Sequence, residues 1–320
     1  MATVCAGILA GGGCAVTVWG RNSQRTAEIN LTRENRRYLP GYALHSGIQF
    51  SSDAPTAFRH AEFLLCAVPT QYIRGVLEQV VAQIPPGVPC VSVAKGIENK
   101  TLLRPTQIIK AVTGQRPVAA LSGPSIAGEL ARLMPATLVV ASEHEPLARE
   151  AQRLFGTRYL RIYRNGDLVG TELAGALKNV IAVAAGILDG IGAGNNAKAA
   201  LLTRGLVEIT RLGLAMGAAP ETFAGLAGMG DLFTTCVSPE GRNRGFGEQV
   251  GAGKPPQEVV KTMVGVVEGL ATTASVMVLA ARHGVDMPIS RCLYSVLFEG
   301  KNARDGMYEL LARQPKAEDA

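Results

Sequence analysis

The chain has 320 residues, of which 47% are hydrophobic and 18% charged, enough for two domains with separate cores and too apolar for a disordered polymer. A net charge of +6 would suit nucleic acid, but Lys and Arg are spread along the chain and only 5% of residues are aromatic, so no nucleic-acid partner is expected. Six scattered cysteines without a C-x-x-C pair and four isolated histidines predict reduced thiols in a cytoplasmic protein, no metal site, and acid/base chemistry carried by Lys, Asp or Glu.

The first element is a short helix over residues 2–10, with no Lys or Arg before it, so no signal peptide is expected. Gly11, Gly12 and Gly13 follow it and precede a strand over 14–19. A dinucleotide-binding turn has the reverse polarity, strand then glycines then helix. These glycines therefore read as the helix's C-terminal cap, in the left-handed conformation. Further strands are predicted over 48–51, 63–68, 90–94, 118–121, 137–141 and 159–164, with helices over 72–84 and 145–155 between them. That alternation predicts a Rossmann-like, doubly wound, mostly parallel α/β sheet.

The polar break Arg164-Asn165-Gly166-Asp167 marks the domain boundary, giving domains 1–164 and 165–320. Beyond it no strand is expected, and helices are predicted over 169–188, 198–216, 256–264, 271–283 and 289–299. The run 173–191 is apolar enough to suggest a membrane, but Lys178 and Asp189 inside it would each cost about 2.5–3.5 kcal/mol in a bilayer, so a buried core helix is predicted. The terminal ARQPKAEDA reads as a frayed polar tail.

Ligands of open α/β sheets bind beyond the carboxyl ends of the strands. The first strand ends in Trp19-Gly20-Arg21-Asn22, with an Arg and no acid to hold a ribose hydroxyl, which favours NADP or tolerance of both cofactors. Three later strands run into Pro69-Thr70-Gln71, Lys95-Gly96 and Ser122-Gly123-Pro124-Ser125, small and polar residues suited to a shared cleft or to plain turns. Lys178 is flanked by apolar residues, so it either snorkels to water or is buried with a lowered pKa, ready to exchange a proton near neutrality. Asp231 follows a glycine-rich turn and reads as either a helix cap or a polar site, with Thr235 on the same helical face. Gly241 to Gly245 read as a compact basic loop, either solvated or suited to a phosphate.

In order along the chain, WGRN, NRRYLP, AVPTQ, AKGIE, LSGPSIAGE, ELAGALKNVIAVAAGI, LLTRGLVEITRLG, TFAGLAGMGDLFTTC, RNRGFG, VVEGLATT and MPIS closely resemble the bacterial-type NAD(P)-dependent glycerol-3-phosphate dehydrogenases. The resemblance covers essentially the whole chain. It implies a Rossmann-like cofactor domain, an all-helical second domain, and reversible hydride transfer between NAD(P)H and dihydroxyacetone phosphate, serving phospholipid synthesis. By motif, Lys178 would donate and accept the proton, with Lys95 and Asp231 completing a polar network. Gly123, Ser125, Asn179, Gly241, Arg242 and Asn243 would meet the phosphorylated substrate together with those three. Arg21, Tyr38, Ala127, Val266 and Glu268 would lie along the cofactor, which Lys95 and Arg242 would also touch. A cytoplasmic homodimer without stable membrane insertion is implied.

Two departures stand out. Gly241 replaces a Ser that the family usually places before Arg-Asn. Family members also begin with a strand and a GAGSWG-like loop, whereas Met1-Ala2-Thr3 aligns with that loop's last residues. Two expectations follow: a working dehydrogenase whose start is assigned too far downstream, or a catalytically impaired product lacking the pyrophosphate-binding loop. A related hydroxyacid-type dehydrogenase is opposed by SGPS and RNRGFG.

Overall fold

The computed structural model describes residues 1–315 and 317–318, so the predicted tail lies partly outside the described residues. Its first half holds strands β1 (Val16–Trp19), β2 (Glu34–Asn35), β3 (Leu39–Ala43), β4 (Ile48–Ser51), β5 (Leu64–Cys66), β6 (Cys90–Ser92), β7 (Val118–Ser122), β8 (Ala136–Ala141) and β9 (Leu160–Asn165). Between them lie α1 (Ala2–Gly11), α2 (Ser23–Thr32), α3 (Ala54–Phe58), α4 (Ile73–Val80), α5 (Pro105–Thr113), α6 (Ala127–Ala131) and α7 (Glu145–Phe155).

Strands β5 to β9 form one sheet in chain order, while β1 and β4 pair in a separate parallel ribbon and β2 and β3 form a hairpin. The large sheet is parallel except between β7 and β8, which run antiparallel. The reason lies in the connection. It carries only the five-residue α6 where a parallel crossover usually has a full-length helix.

Helix α1 joins the two parallel sheets, which explains why it is apolar on every side. Val4, Cys5, Ile8 and Leu9 enter the core of the large sheet with Ala119, Leu121, Leu138 and Phe155, while Ala6 and Ala10 pack on Ile29, Ile48 and Phe50. The glycine triplet ends α1 as the polarity of the sequence requires. Gly13 takes φ +85°, its N–H donates to Ala10 O at 3.0 Å, and the Cys14 N–H donates to Leu9 O at 3.0 Å. The left-handed residue is Gly13, and Gly12 keeps φ −83°.

The second half comprises α8 (Leu168–Gly190), α9 (Gly194–Ala215), α10 (Pro220–Ala224), α11 (Asp231–Val237), α12 (Arg242–Gly251), α13 (Pro256–Thr262), α14 (Glu268–His283), α15 (Pro288–Phe298) and α16 (Ala303–Leu311). No strand follows Asn165 among the described residues. A π-helical turn, Leu226–Gly230, leads into α11. The apolar run that could cross a membrane is α8, whose mean hydropathy reaches 1.4 while 78% of that stretch is buried inside the protein. Asp167 starts this helix by accepting the Gly170 N–H at 2.7 Å, and the same carboxylate accepts Ala219 N–H and Thr222 Oγ1.

Helices α8 and α12 meet backbone to backbone. A Cβ on Gly186 would stand 1.9 Å from Arg244 O, one on Gly247 2.0 Å from Val183 O, one on Gly190 2.2 Å from Glu248 O and one on Gly251 2.3 Å from Ile187 O. Asp189 locks the pair by accepting Arg244 Nε at 2.7 Å and Lys198 Nζ at 2.8 Å. Gly247→Ala is expected to cost about 1–3 kcal/mol through overpacking, more than the ~1 kcal/mol that alanine gains in a helix interior, because the obstacle is backbone and cannot turn aside. A lowered melting temperature checks this; an unchanged or raised one contradicts it.

The two halves are joined by a buried ion pair. The Glu172 carboxylate, on α8, accepts Arg104 Nη1, Thr106 Oγ1 at 2.6 Å and Thr106 N–H at 2.8 Å, and so caps α5 from across the junction.

Candidate active site

The carboxyl ends of β5, β6 and β7 open on one cleft, and the helical half faces it with α8, α11, α12 and the start of α14. From the sheet side comes Lys95, just beyond β6. Its Nζ donates to Gly123 O at 2.9 Å, Ser125 Oγ at 3.2 Å and Asp231 Oδ2 at 2.6 Å. From the helical side comes Lys178, only 5% exposed, whose Nζ stands 3.1 Å from Asp231 Oδ1 and donates to Thr235 Oγ1 at 2.5 Å. Asp231 thus receives one lysine on each oxygen, and the two lysines belong to different halves of the protein.

Asp231 is the first residue of α11, entered from the π turn, and it does not cap the helix as one reading of the sequence held. The Thr235 hydroxyl, one turn on, donates to its Oδ1 at 3.3 Å, which fits the predicted shared face. Such π turns are frequent at functional sites because they re-aim one side chain.

Burial is the dominant influence on Lys178. It lowers the ammonium pKa to about 8, aided by the Lys95 charge and opposed by Asp231. For Asp231 burial acts the other way, raising the pKa, but Lys178 and Lys95 outweigh it and hold the carboxyl below its usual range. The network is therefore a carboxylate between two cations, one of which can lose its proton near neutral pH.

A hydrogen-bonded chain extends from this centre. Asn179 Nδ2 donates to Lys95 O at 2.9 Å, Asn243 Nδ2 donates to Asn179 Oδ1 at 2.9 Å, and the Gly269 N–H donates to Asn243 Oδ1 at 3.0 Å. Arg242 and Asn243 open the first turn of α12, so the basic loop expected at 241–245 is in fact a helix start. Further along the same helix, Gly247 and Gly251 serve packing on α8, a tertiary demand that local sequence does not announce. Arg242 is exposed, with Nη1 donating to Val266 O at 3.1 Å. Gly241 is a necessity of this backbone, since a Cβ there would lie 2.8 Å from Thr235 O.

At the junction of β5 with α14, the Thr70 N–H donates to Glu268 Oε1 at 2.9 Å, while Glu268 Oε2 and Thr70 Oγ1 are buried without a partner. Burial raises the Glu268 pKa. Both oxygens lie 2.7 Å from where a Cβ on Gly96 would stand, so glycine is what admits them. Ala127 begins α6, two residues past Ser125. Arg21 and Tyr38 stand apart from the lysine network, at the end of β1 and in the turn between β2 and β3, both exposed. The sequence reading did not single out Glu172 with Arg104 and Thr106, although proline at the first position of a helix was the available signal for α5.

This architecture is a Rossmann-like sheet whose strand ends face a helical domain across a network of buried lysines, and the unpartnered oxygens of Thr70 and Glu268 close to Gly96 are polar groups of the kind a dinucleotide can engage. It defines an NAD(P)-dependent dehydrogenase acting on a CH–OH group. The chain belongs to the NAD-dependent glycerol-3-phosphate dehydrogenase family, whose N-terminal model matches residues 2–148 and whose C-terminal model matches residues 167–308.

A glycerol-3-phosphate dehydrogenase [NAD(P)+] of Geobacter sp. strain M21 is 46% identical over 319 residues, covering 99% of this chain and 95% of that relative. That of Geobacter sulfurreducens is 47% identical with the same coverage. The crystal structure of the glycerol-3-phosphate dehydrogenase from Coxiella burnetii superposes with a TM-score of 0.93 at 33% identity, over 97% of this chain and 95% of that one. These likenesses favour the dehydrogenase over the impaired-product reading.

Proposed function

We propose that the chain catalyses the reversible reduction of dihydroxyacetone phosphate to sn-glycerol 3-phosphate with NADH or NADPH, supplying phospholipid synthesis. The observation that carries this reading is the Lys178–Asp231–Lys95 network at the strand ends, in a chain of this family. When bound, the reduced nicotinamide supplies hydride to the substrate carbonyl carbon. Lys178 gives its Nζ proton to the carbonyl oxygen and takes it back in the oxidative direction. The Thr235 hydroxyl and the Asp231 carboxylate hold Nζ in place, and Lys95 offsets the charge that Asp231 keeps once Lys178 is neutral.

Arg242 and Asn243, at the start of a ten-residue helix, suit the substrate phosphate, because helix N–H groups and a guanidinium fork both favour an anion. By resemblance to the family, Gly123, Ser125, Asn179 and Gly241 would meet the same substrate. Arg21, Tyr38, Ala127, Val266 and Glu268 would lie along the cofactor, and Lys95 and Arg242 would touch both. Residues 1–164 would thus serve the cofactor and 165–320 the substrate. Resemblance to the family and the burial of α8 support a cytoplasmic homodimer without membrane insertion.

The pH profile tests the assignment of Lys178. The donor form dominates below its pKa of about 8, so kcat/KM for reduction is expected to fall as pH rises through about 8. For oxidation the neutral amine is the acceptor, and kcat/KM should rise through the same value. Profiles that move together in both directions would exclude Lys178 as the proton carrier.

A further inference from the structure

The loop that follows Lys95, residues 96–104, connects β6 to α5 yet is held by both halves of the protein. Ile97, fully buried, and Leu102 sit in the core of the helical half with Leu173 and Leu177. From the sheet side Gln71, in the turn between β5 and α4, donates through Nε2 to Ile97 O at 2.6 Å and accepts the Asn99 N–H on Oε1 at 3.0 Å. From the helical side Ser275, buried on α14, reaches the same two residues, its hydroxyl shared between Asn99 Oδ1 at 2.8 Å and Ile97 O at 3.3 Å. Between them, the Glu98 carboxylate accepts Arg74 Nη2 at 2.8 Å and Nε at 3.1 Å. Leu102 takes φ +62°, a backbone that a bulky residue keeps only where its surroundings impose it, and its N–H donates to Glu98 O at 2.8 Å. A plain strand-to-helix connection needs no such fixing.

We propose that Gln71 and Ser275 are positioning residues: by clasping Ile97 and Asn99 from opposite halves, they fix the backbone from which Lys95 reaches Asp231. The proposal rests on the reading of the Lys178–Asp231–Lys95 network as the reaction centre. A lysine stem is long and flexible, so an ammonium held at 2.6 Å from Asp231 and 2.9 Å from Gly123 O needs a stem that starts from a fixed point. One anchor is the bond from Asn179 to Lys95 O, and the clasp two residues further on is the other. Among the described residues, all side-chain hydrogen bonds of Gln71 and Ser275 end on Ile97 and Asn99, so their influence on the reaction travels through the loop backbone.

A double-mutant cycle on the full chain tests this, with Ser275→Ala and Lys95→Met made singly and together and kcat for dihydroxyacetone phosphate reduction measured. Ser275→Ala alone is expected to lower kcat about three- to tenfold while KM for the cofactor stays within about twofold. In the Lys95→Met background the same change should cost less than about twofold, because no ammonium remains to be placed. The pH profile is the second readout. Asp231 and Cys236 on α11 and the Lys95 ammonium act on Lys178, and the Lys95 charge helps to hold its pKa at about 8. A loosened Lys95 therefore moves the fall in kcat/KM for reduction to higher pH. Gln71→Ala opens the clasp from the sheet side, with the same expected outcome, and decides the matter should Ser275→Ala fail to fold. Both clasp variants within about twofold of wild type, an equal loss in both backgrounds, or an unmoved pH profile would overturn the proposal alone. Lys95→Met with wild-type kcat would overturn the reading of the network beneath it.

Discussion

Lys178→Met is expected to lower kcat for dihydroxyacetone phosphate reduction by roughly 10²- to 10⁴-fold, the usual worth of general acid/base help. The Nζ of Lys178 is 3.1 Å from Asp231 and 2.5 Å from Thr235, so it occupies a fixed position. Methionine keeps the stem's volume, and Asp231 retains Lys95 at 2.6 Å, so the carboxylate is not left without a cation. Calorimetric affinity for the cofactor should stay within about twofold, and turnover alone should collapse. Residual turnover within a factor of ten would assign the proton to another group, with Lys95 next in line.

Glu172→Ala should have the largest effect on stability. It strips the partner from a nearly buried Arg104 and leaves the Thr106 hydroxyl and N–H facing a cavity. Breaking a buried pair by removing one partner costs about 3–5 kcal/mol, because the other charge stays desolvated. The pair spans the two halves, so the loss falls on their docking. The check is chemical denaturation with both intrinsic fluorescence and activity followed; a shift below about 1 kcal/mol would mean that Arg104 reaches water once freed. Glu172→Gln tests the charge separately, since an amide retains acceptor capacity for Thr106.

The residues proposed to carry the chemistry were legible because their local surroundings are unusual. A lysine among Leu, Ala and Val with no polar neighbour except Asn179 has few reasons to exist on a soluble helix, and Lys178 is buried as that pattern implies. Glycines were legible only where local polarity decides their role. The triplet after α1 follows from the order helix, glycine, strand, whereas Gly247 and Gly251 look like turn residues until α8 is laid against them. The antiparallel β7–β8 pair was not legible from strand patterns, since direction depends on how far the intervening chain travels. Strands β1 and β5 lie in separate sheets bridged by α1, a division that the alternation of strands and helices does not announce.

The seam between α8 and α12 is specified by what four residues lack. Carbonyls and Cα atoms make the contact and set how close the helices come, while the Arg244–Asp189 pair holds them in register. Lys178 and Asn179 ride on one of these helices and Arg242 and Asn243 on the other, so the spacing between the proposed proton carrier and the proposed phosphate site is measured by backbone against backbone, the least compressible ruler a protein possesses. Drift in the surface chemistry of either helix leaves that spacing untouched, and a single added methyl group resets it.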